Sequence, residues 1–265
     1  MPRRQTTRPA RLRLKTVRRS AHHWLLGAED RQLTFVRVCN VTSEEYGKLL
    51  YLIRDQIETA AAAFYTAEAI NRFALENSAN HDKLNRDARF WNLQVHGMQT
   101  AYLMGLGRLF DTNRDAHTMM ELLTATENYP GLFSKEELRA RKLRVAGNQN
   151  SDVIEASLEG IWEPTRAELG QPRKEVKKSI CLYRAKYKTI RDGIFGHLGK
   201  DQGKVANALS KTLLAEIDLM FLDLLEVMDM LFALFDNGVR CERRIGPHRF
   251  ARDVHERTRT VLDRL

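Results

Sequence analysis

At 265 residues, with 43% hydrophobic and 29% charged side chains, the chain is soluble and globular in composition and long enough to bury roughly 70–75% of its extended surface. Its formal charge of +9 suggests a nucleic-acid partner, but eight basic residues and no acidic one crowd into positions 1–23, leaving 35 basic against 34 acidic side chains in the remainder. Three scattered cysteines, Cys39, Cys181 and Cys241, argue against a disulfide framework or a thiolate metal site and fit a reducing cytoplasm.

The basic arm (Arg3, Arg4, Arg8, Arg11, Arg13, Lys15, Arg18, Arg19) is expected to be disordered. It either touches RNA without sequence preference or adds nothing to the fold. No apolar run follows it, so a secretory signal is not supported. Residues 33–41 have strand-like composition and read as an extended lead-in that closes an arm over 1–41.

Helix signals dominate from residue 42. Thr42-Ser43-Glu44-Glu45 offers a capping box, and Leu49, Leu50, Ile53, Ile57, Ala60 and Phe64 form an apolar stripe on a helix reaching about Asn77. The spacing predicts a second long helix over 81–111 and shorter ones over 117–127 and 134–146, the latter opened by Ser134-Lys135-Glu136-Glu137. Further helices are expected over 151–169, 173–198 and 204–236, with a short one after Pro247. The run from Leu213 to Phe235 is the most apolar, but Glu216, Asp218, Asp223, Glu226 and Asp229 interrupt it, so it reads as a buried helix and not a membrane span. The expectation is one all-α domain over 42–236, an antiparallel helical bundle, flanked by the basic N-terminal arm and a charged tail over 237–265.

Several motifs fail on inspection. Gly105-Leu106-Gly107 lacks the third glycine and the preceding strand of a dinucleotide fingerprint, so close helix packing is the better reading. Gly199-Lys200 and Gly203-Lys204 lack the glycine and hydroxyl residue of a P-loop. The histidines do not group as metal ligands, and no cofactor is expected. Arg89 and His96 form a weak pair in a core-like helix, and His22-His23 reads as solvated.

The stretch Ile190–Lys200 is different. Arg191 and Asp192 precede His197, and an arginine that clamps phosphate beside a histidine that titrates near neutrality supplies what metal-independent phosphodiester cleavage needs. A helix-terminal histidine and a surface arginine would produce the same pattern without function. In a regular helix positions 191 and 197 point about 120° apart, so convergence needs distortion, which Gly193 and Gly196 permit, or a second subunit.

Arg191-Asp192, four further residues and His197 resemble the Arg-polar-x(4–6)-His signature of the HEPN (higher eukaryotes and prokaryotes nucleotide-binding) superfamily. With Phe90-Trp91 and Leu106-Gly107-Arg108-Leu109-Phe110-Asp111, the chain is most similar to AbiU-type abortive-infection proteins over roughly 45–235. Gly193 and Gly196 depart from the lysine and alanine common at those positions. The resemblance implies a homodimeric helical bundle that cleaves RNA without a metal, in phage defence or as a toxin with an antitoxin partner. His197 would act as acid or base, Arg191 would hold phosphate and Asp192 would orient one of them. The rival readings are a non-catalytic HEPN module, binding RNA, a nucleotide or a partner such as a nucleotidyltransferase, and a plain interaction bundle.

Overall fold

Thr42 starts the bundle. Its hydroxyl accepts the Glu45 N–H at 3.2 Å while the Glu45 carboxylate accepts the Thr42 N–H at 2.9 Å, the expected reciprocal cap. The computed structural model describes residues 41–111, 116–146, 151–196, 207–208, 211–241 and 248–265, all within one unit, Arg37–Leu265. Among these residues the protein is all-α, with no strand. The basic arm and nearly all of the lead-in over 33–41 lie outside the described residues.

Helix α1 (Ser43–Glu76) is the axis of the fold. Leu50, Ile53, Ile57, Ala60 and Phe64 are buried as the stripe requires, and Leu49 is half-buried. The single helix expected over 81–111 is two, α2 (Ser78–Arg86) and α3 (Ala88–Leu109). The Asn77 side chain caps α2 by accepting the Asn80 N–H at 2.8 Å, and Asp87 (φ −122°, ψ 45°) leaves the helical region between them. Helix α3 then packs antiparallel on α1. A Cβ at Gly105 would come within 2.6 Å of the Ala60 Cβ, so this glycine does serve close helix packing.

Thr118 caps α4 (Met119–Asn128), a 3₁₀ turn covers Pro130–Phe133, and the Ser134 hydroxyl caps α5 (Lys135–Ala146) by accepting the Glu137 N–H. The helix expected over 151–169 is also split, into α6 (Ser151–Ser157) and α7 (Arg166–Leu169). Pro164 between them lacks an N–H and pushes Glu163 away from helical geometry, and Thr165 then begins a new reciprocal cap with Glu168. Helix α8 (Gln171–Leu182) continues through a π-helical segment, Tyr183–Tyr187, into α9 (Lys188–Ile190) and a second π segment, Arg191–Gly196.

Helix α10 (Leu214–Asn237) starts later than the expected 204, because Leu213 is extended. It runs antiparallel to α1, with Phe221 against Phe64 and Phe235 against Tyr46. Its carboxylates point to partners at the helix flanks: Glu216 to Tyr187, Asp223 to Ser179 and Asp229 to His248. No described helix is long and apolar enough to cross a membrane.

Two further contacts close the structure. Arg141 of α5 donates to the Ser43 hydroxyl at 3.0 Å and to the Leu132 and Phe235 carbonyls at 2.7 Å each, with its guanidinium 4.0 Å above the Phe235 ring. Three chain regions meet at this one side chain. At the other end, the short helix expected after Pro247 is α11 (Arg249–Leu262), which lies parallel to α1 through His255–Glu68 at 3.1 Å and Arg259–Glu76. Leu262 is buried with Ile70, Phe73 and Leu84.

Candidate active site

The segment carrying the candidate residues is wound differently from the helix before it. The Lys188 N–H donates to the Tyr183 carbonyl, an i→i+5 bond that widens the turn, and the same winding recurs from Arg191 to Gly196. Tyrosines frame the first π segment. The Tyr183 hydroxyl donates to the Leu103 carbonyl of α3 at 2.9 Å, and the Tyr187 hydroxyl donates to Glu216 of α10 at 2.8 Å. Both rings are buried and stack with centroids 6.3 Å apart. One helix is thus tied to two neighbours by aromatic residues four positions apart. The distortion allowed by Gly193 and Gly196 is present where those two glycines sit.

Arg191 lies where this helix crosses the C-terminal half of α3. A Cβ at Gly107 would stand 2.6 Å from both Cδ and Nη1 of Arg191 and 2.9 Å from the Tyr183 hydroxyl. The absent side chain at 107 is therefore what admits the arginine. The Tyr183 hydroxyl and the guanidinium border the same space at Gly107, and Asp111, just beyond the end of α3, adds a negative field. Partial burial works against the Arg191 charge, yet the Asp192 hydrogen bond and the fields of Asp192 and Asp111 hold its pKa above the ordinary guanidinium value. Burial likewise pushes the Tyr183 hydroxyl upward, keeping it neutral and able to donate.

Asp192 sits in front of the guanidinium. Its Oδ1 accepts from Arg191 Nε at 2.7 Å and lies 2.5 Å from Nη2, while its Oδ2 accepts from Lys188 Nζ at 2.6 Å. Partial burial opposes its charge, but the bonds from Lys188 and Arg191 outweigh that and hold the carboxyl below its ordinary value. The Arg191 side chain is 22% exposed, Asp192 39% and Lys188 55%, so the group opens to solvent. Two concavities of about 310 and 980 Å³ are lined by other residues.

Of the residues expected from sequence, the structure brings Arg191 and Asp192 together and places Gly193 beside them. His197 and the basic arm residues Arg3, Arg4, Arg8, Arg11, Arg13, Lys15, Arg18 and Arg19 lie outside the described residues. Arg89 and His96 are both exposed on α3. Lys188, Tyr183 and Gly107 were not singled out for the site. The spacing of Lys188 three and four residues before Arg191 and Asp192 was the available signal for the first of them. Among the described residues, no three His, Cys, Asp or Glu side chains gather as metal ligands.

Comparison with curated proteins and with solved structures found no match. The model of one family, described as AbiU2 and built on the HEPN domain, matches residues 43–256, from the first residue of α1 into α11. That span is most of the chain and takes in the π-wound helix with Arg191 and Asp192, so the chain belongs to the AbiU2 family of HEPN domains.

Proposed function

We propose that the protein is a metal-independent endoribonuclease acting in the cytoplasm as a homodimer, in phage defence or as a toxin restrained by an antitoxin. Membership of the AbiU2 family points to a role related to abortive infection. The observation that carries the ribonuclease reading is Arg191 itself: a guanidinium fixed by Tyr183, Asp192 and the gap at Gly107, yet open to solvent on a distorted helix.

In the proposed reaction the RNA 2′-oxygen attacks the adjacent phosphorus, and the bond from phosphorus to the 5′-oxygen breaks. His197 takes the proton from the 2′-hydroxyl or gives one to the leaving 5′-oxygen. Arg191 neutralises charge growing on the non-bridging oxygens, and Asp192 orients the guanidinium before the phosphate arrives. The products carry a 2′,3′-cyclic phosphate and a 5′-hydroxyl, and DNA, lacking the nucleophile, resists cleavage. A two-fold dimer would bring His197 of one chain near Arg191 of the other.

The test is cleavage of total RNA in the presence of EDTA by the protein and by its His197→Ala variant. Cleavage by the parent alone, with cyclic-phosphate ends, supports the reading. A folded dimer that binds RNA through Arg191 without cutting it supports the non-catalytic alternative. That alternative needs only the Arg191 guanidinium, whose position the Asp192 bond and the space at Gly107 set.

A further inference from the structure

We infer that Lys188 and Arg191 form a two-cation site for a phosphodiester, and that the Asp192 carboxylate is its resident anion, displaced when phosphate binds. The inference rests on the reading above only in taking the ligand to be RNA.

The geometry is that of an occupied anion site. One carboxylate spans two cations, with Oδ1 against Nε and Nη2 of Arg191 and Oδ2 against Nζ of Lys188. Nε and Nη2 form the side of a guanidinium fork that grips an oxyanion, and phosphate uses the same donors at the same distances. The second anionic oxygen of a phosphodiester then faces the position Lys188 already holds. Removing the carboxylate would leave two positive groups converging on one vacated position.

As devices of helix stability these contacts are weak. Neighbouring positions such as 191 and 192 do not face each other on a regular helix, so the Arg191–Asp192 pair is not a helical staple. Lys188 and Asp192 are four apart, but with the cation first, the weaker orientation for a helical pair. All three side chains reach solvent, where such pairs add little to stability. Arg191, in contrast, is fixed from behind by Tyr183 and by the close approach to Gly107. The arrangement is a guanidinium fixed from behind, an exposed lysine in front of it and a half-exposed carboxylate between them.

This gives Asp192 a restraining part as well as the orienting one. Weak or singly contacting anions fail to displace it, whereas a phosphate that engages both cations succeeds. The site therefore favours an extended polyanion, whose neighbouring phosphates add to the local attraction.

The experiment measures binding of a short 2′-O-methyl RNA, which has no nucleophile and cannot be cut, to the full chain and to three variants. Asp192→Asn is expected to bind roughly fivefold or more tightly, because the competing charge is gone. Lys188→Gln is expected to bind roughly threefold or more weakly, and Lys188→Arg to recover most of the loss. Thermal melting of each variant confirms an unchanged fold. Weaker or unchanged binding by Asp192→Asn overturns the inference, as does unchanged binding by Lys188→Gln. Because the probe is not cleavable, these outcomes stand apart from the ribonuclease reading. Absence of RNA cleavage by the parent would sink that reading and leave the direction of the Asp192→Asn effect to decide this one.

Discussion

The backbone of Gly107 and the side chain of Arg191 occupy adjoining space so closely that a Cβ at 107 would lie 2.6 Å from both Cδ and Nη1 of the arginine. The two residues are 84 positions apart, and their approach fixes where α3 and the second π segment meet. A methyl group at 107 has to displace the guanidinium or the Tyr183 hydroxyl. Gly107→Ala should therefore cost about 1–3 kcal/mol of stability and weaken binding of a non-cleavable RNA roughly tenfold. Binding unchanged by the methyl group would mean that the position of Arg191 is not what RNA senses.

Tyr183→Phe removes the bond to the Leu103 carbonyl and the contact to Arg191 while keeping the ring. The expected loss is about 1 kcal/mol in denaturant unfolding, together with weaker RNA binding. A stability change with no change in binding would leave Tyr183 as a packing residue alone.

Arg141 is expected to matter for stability and not for RNA. Its three hydrogen bonds join the start of α1, the 3₁₀ turn and the last turn of α10. Arg141→Met removes the guanidinium above the Phe235 ring and frees two carbonyls, and should cost about 2 kcal/mol or more. Melting at several denaturant concentrations would reveal the loss, and a neutral result would remove Arg141 from its place at the junction.

Glu68 couples the fold to pH. Burial penalises its charge, but hydrogen bonds from His255 and Arg72 and their fields outweigh that and lower its pKa below the ordinary value of 4.5. A lowered carboxyl stabilises the fold fully above its unfolded value, and the contribution fades as pH falls through the folded one. Glu68→Gln should thus cost about 1–2 kcal/mol at pH 7, with the gap to the parent narrowing only below about pH 4.5. A gap that is constant from pH 7 to pH 3 would show that charge at Glu68 contributes nothing.

Much of the bundle was legible because it depends on local chemistry. The Thr42–Glu45 cap and the buried face of α1 follow from residue order and a 3.6-residue period. Splits at Asp87 and before Arg166 were not, since apolar spacing runs on across both: Asp87 leaves the helical region without a side-chain cap to announce it, and Thr165 restarts the chain after Pro164. The site divides in the same way. Arg191 and Asp192 stood out as residue types, but the π winding that sets their directions accompanies Tyr183 and Tyr187 anchoring to α3 and α10, contacts between distant parts of the chain. Gly107 was read with Gly105 as helix packing, which is right for Gly105 against Ala60. Gly107 faces an arginine from a helix whose position no local pattern reveals.

The placement of α11 against α1 has a consequence for the order of assembly. The Glu68–His255 and Glu76–Arg259 contacts join the first described helix to the last, across 187 and 183 positions. During synthesis α1 emerges early; Leu84 of α2 and Trp91 of α3 reach Ile70 and Phe73 first, and Leu262 completes their cover only when α11 arrives. The first described helix is therefore fully packed only once α11 has been made, so its face toward Leu262 is among the last surfaces of the bundle to close.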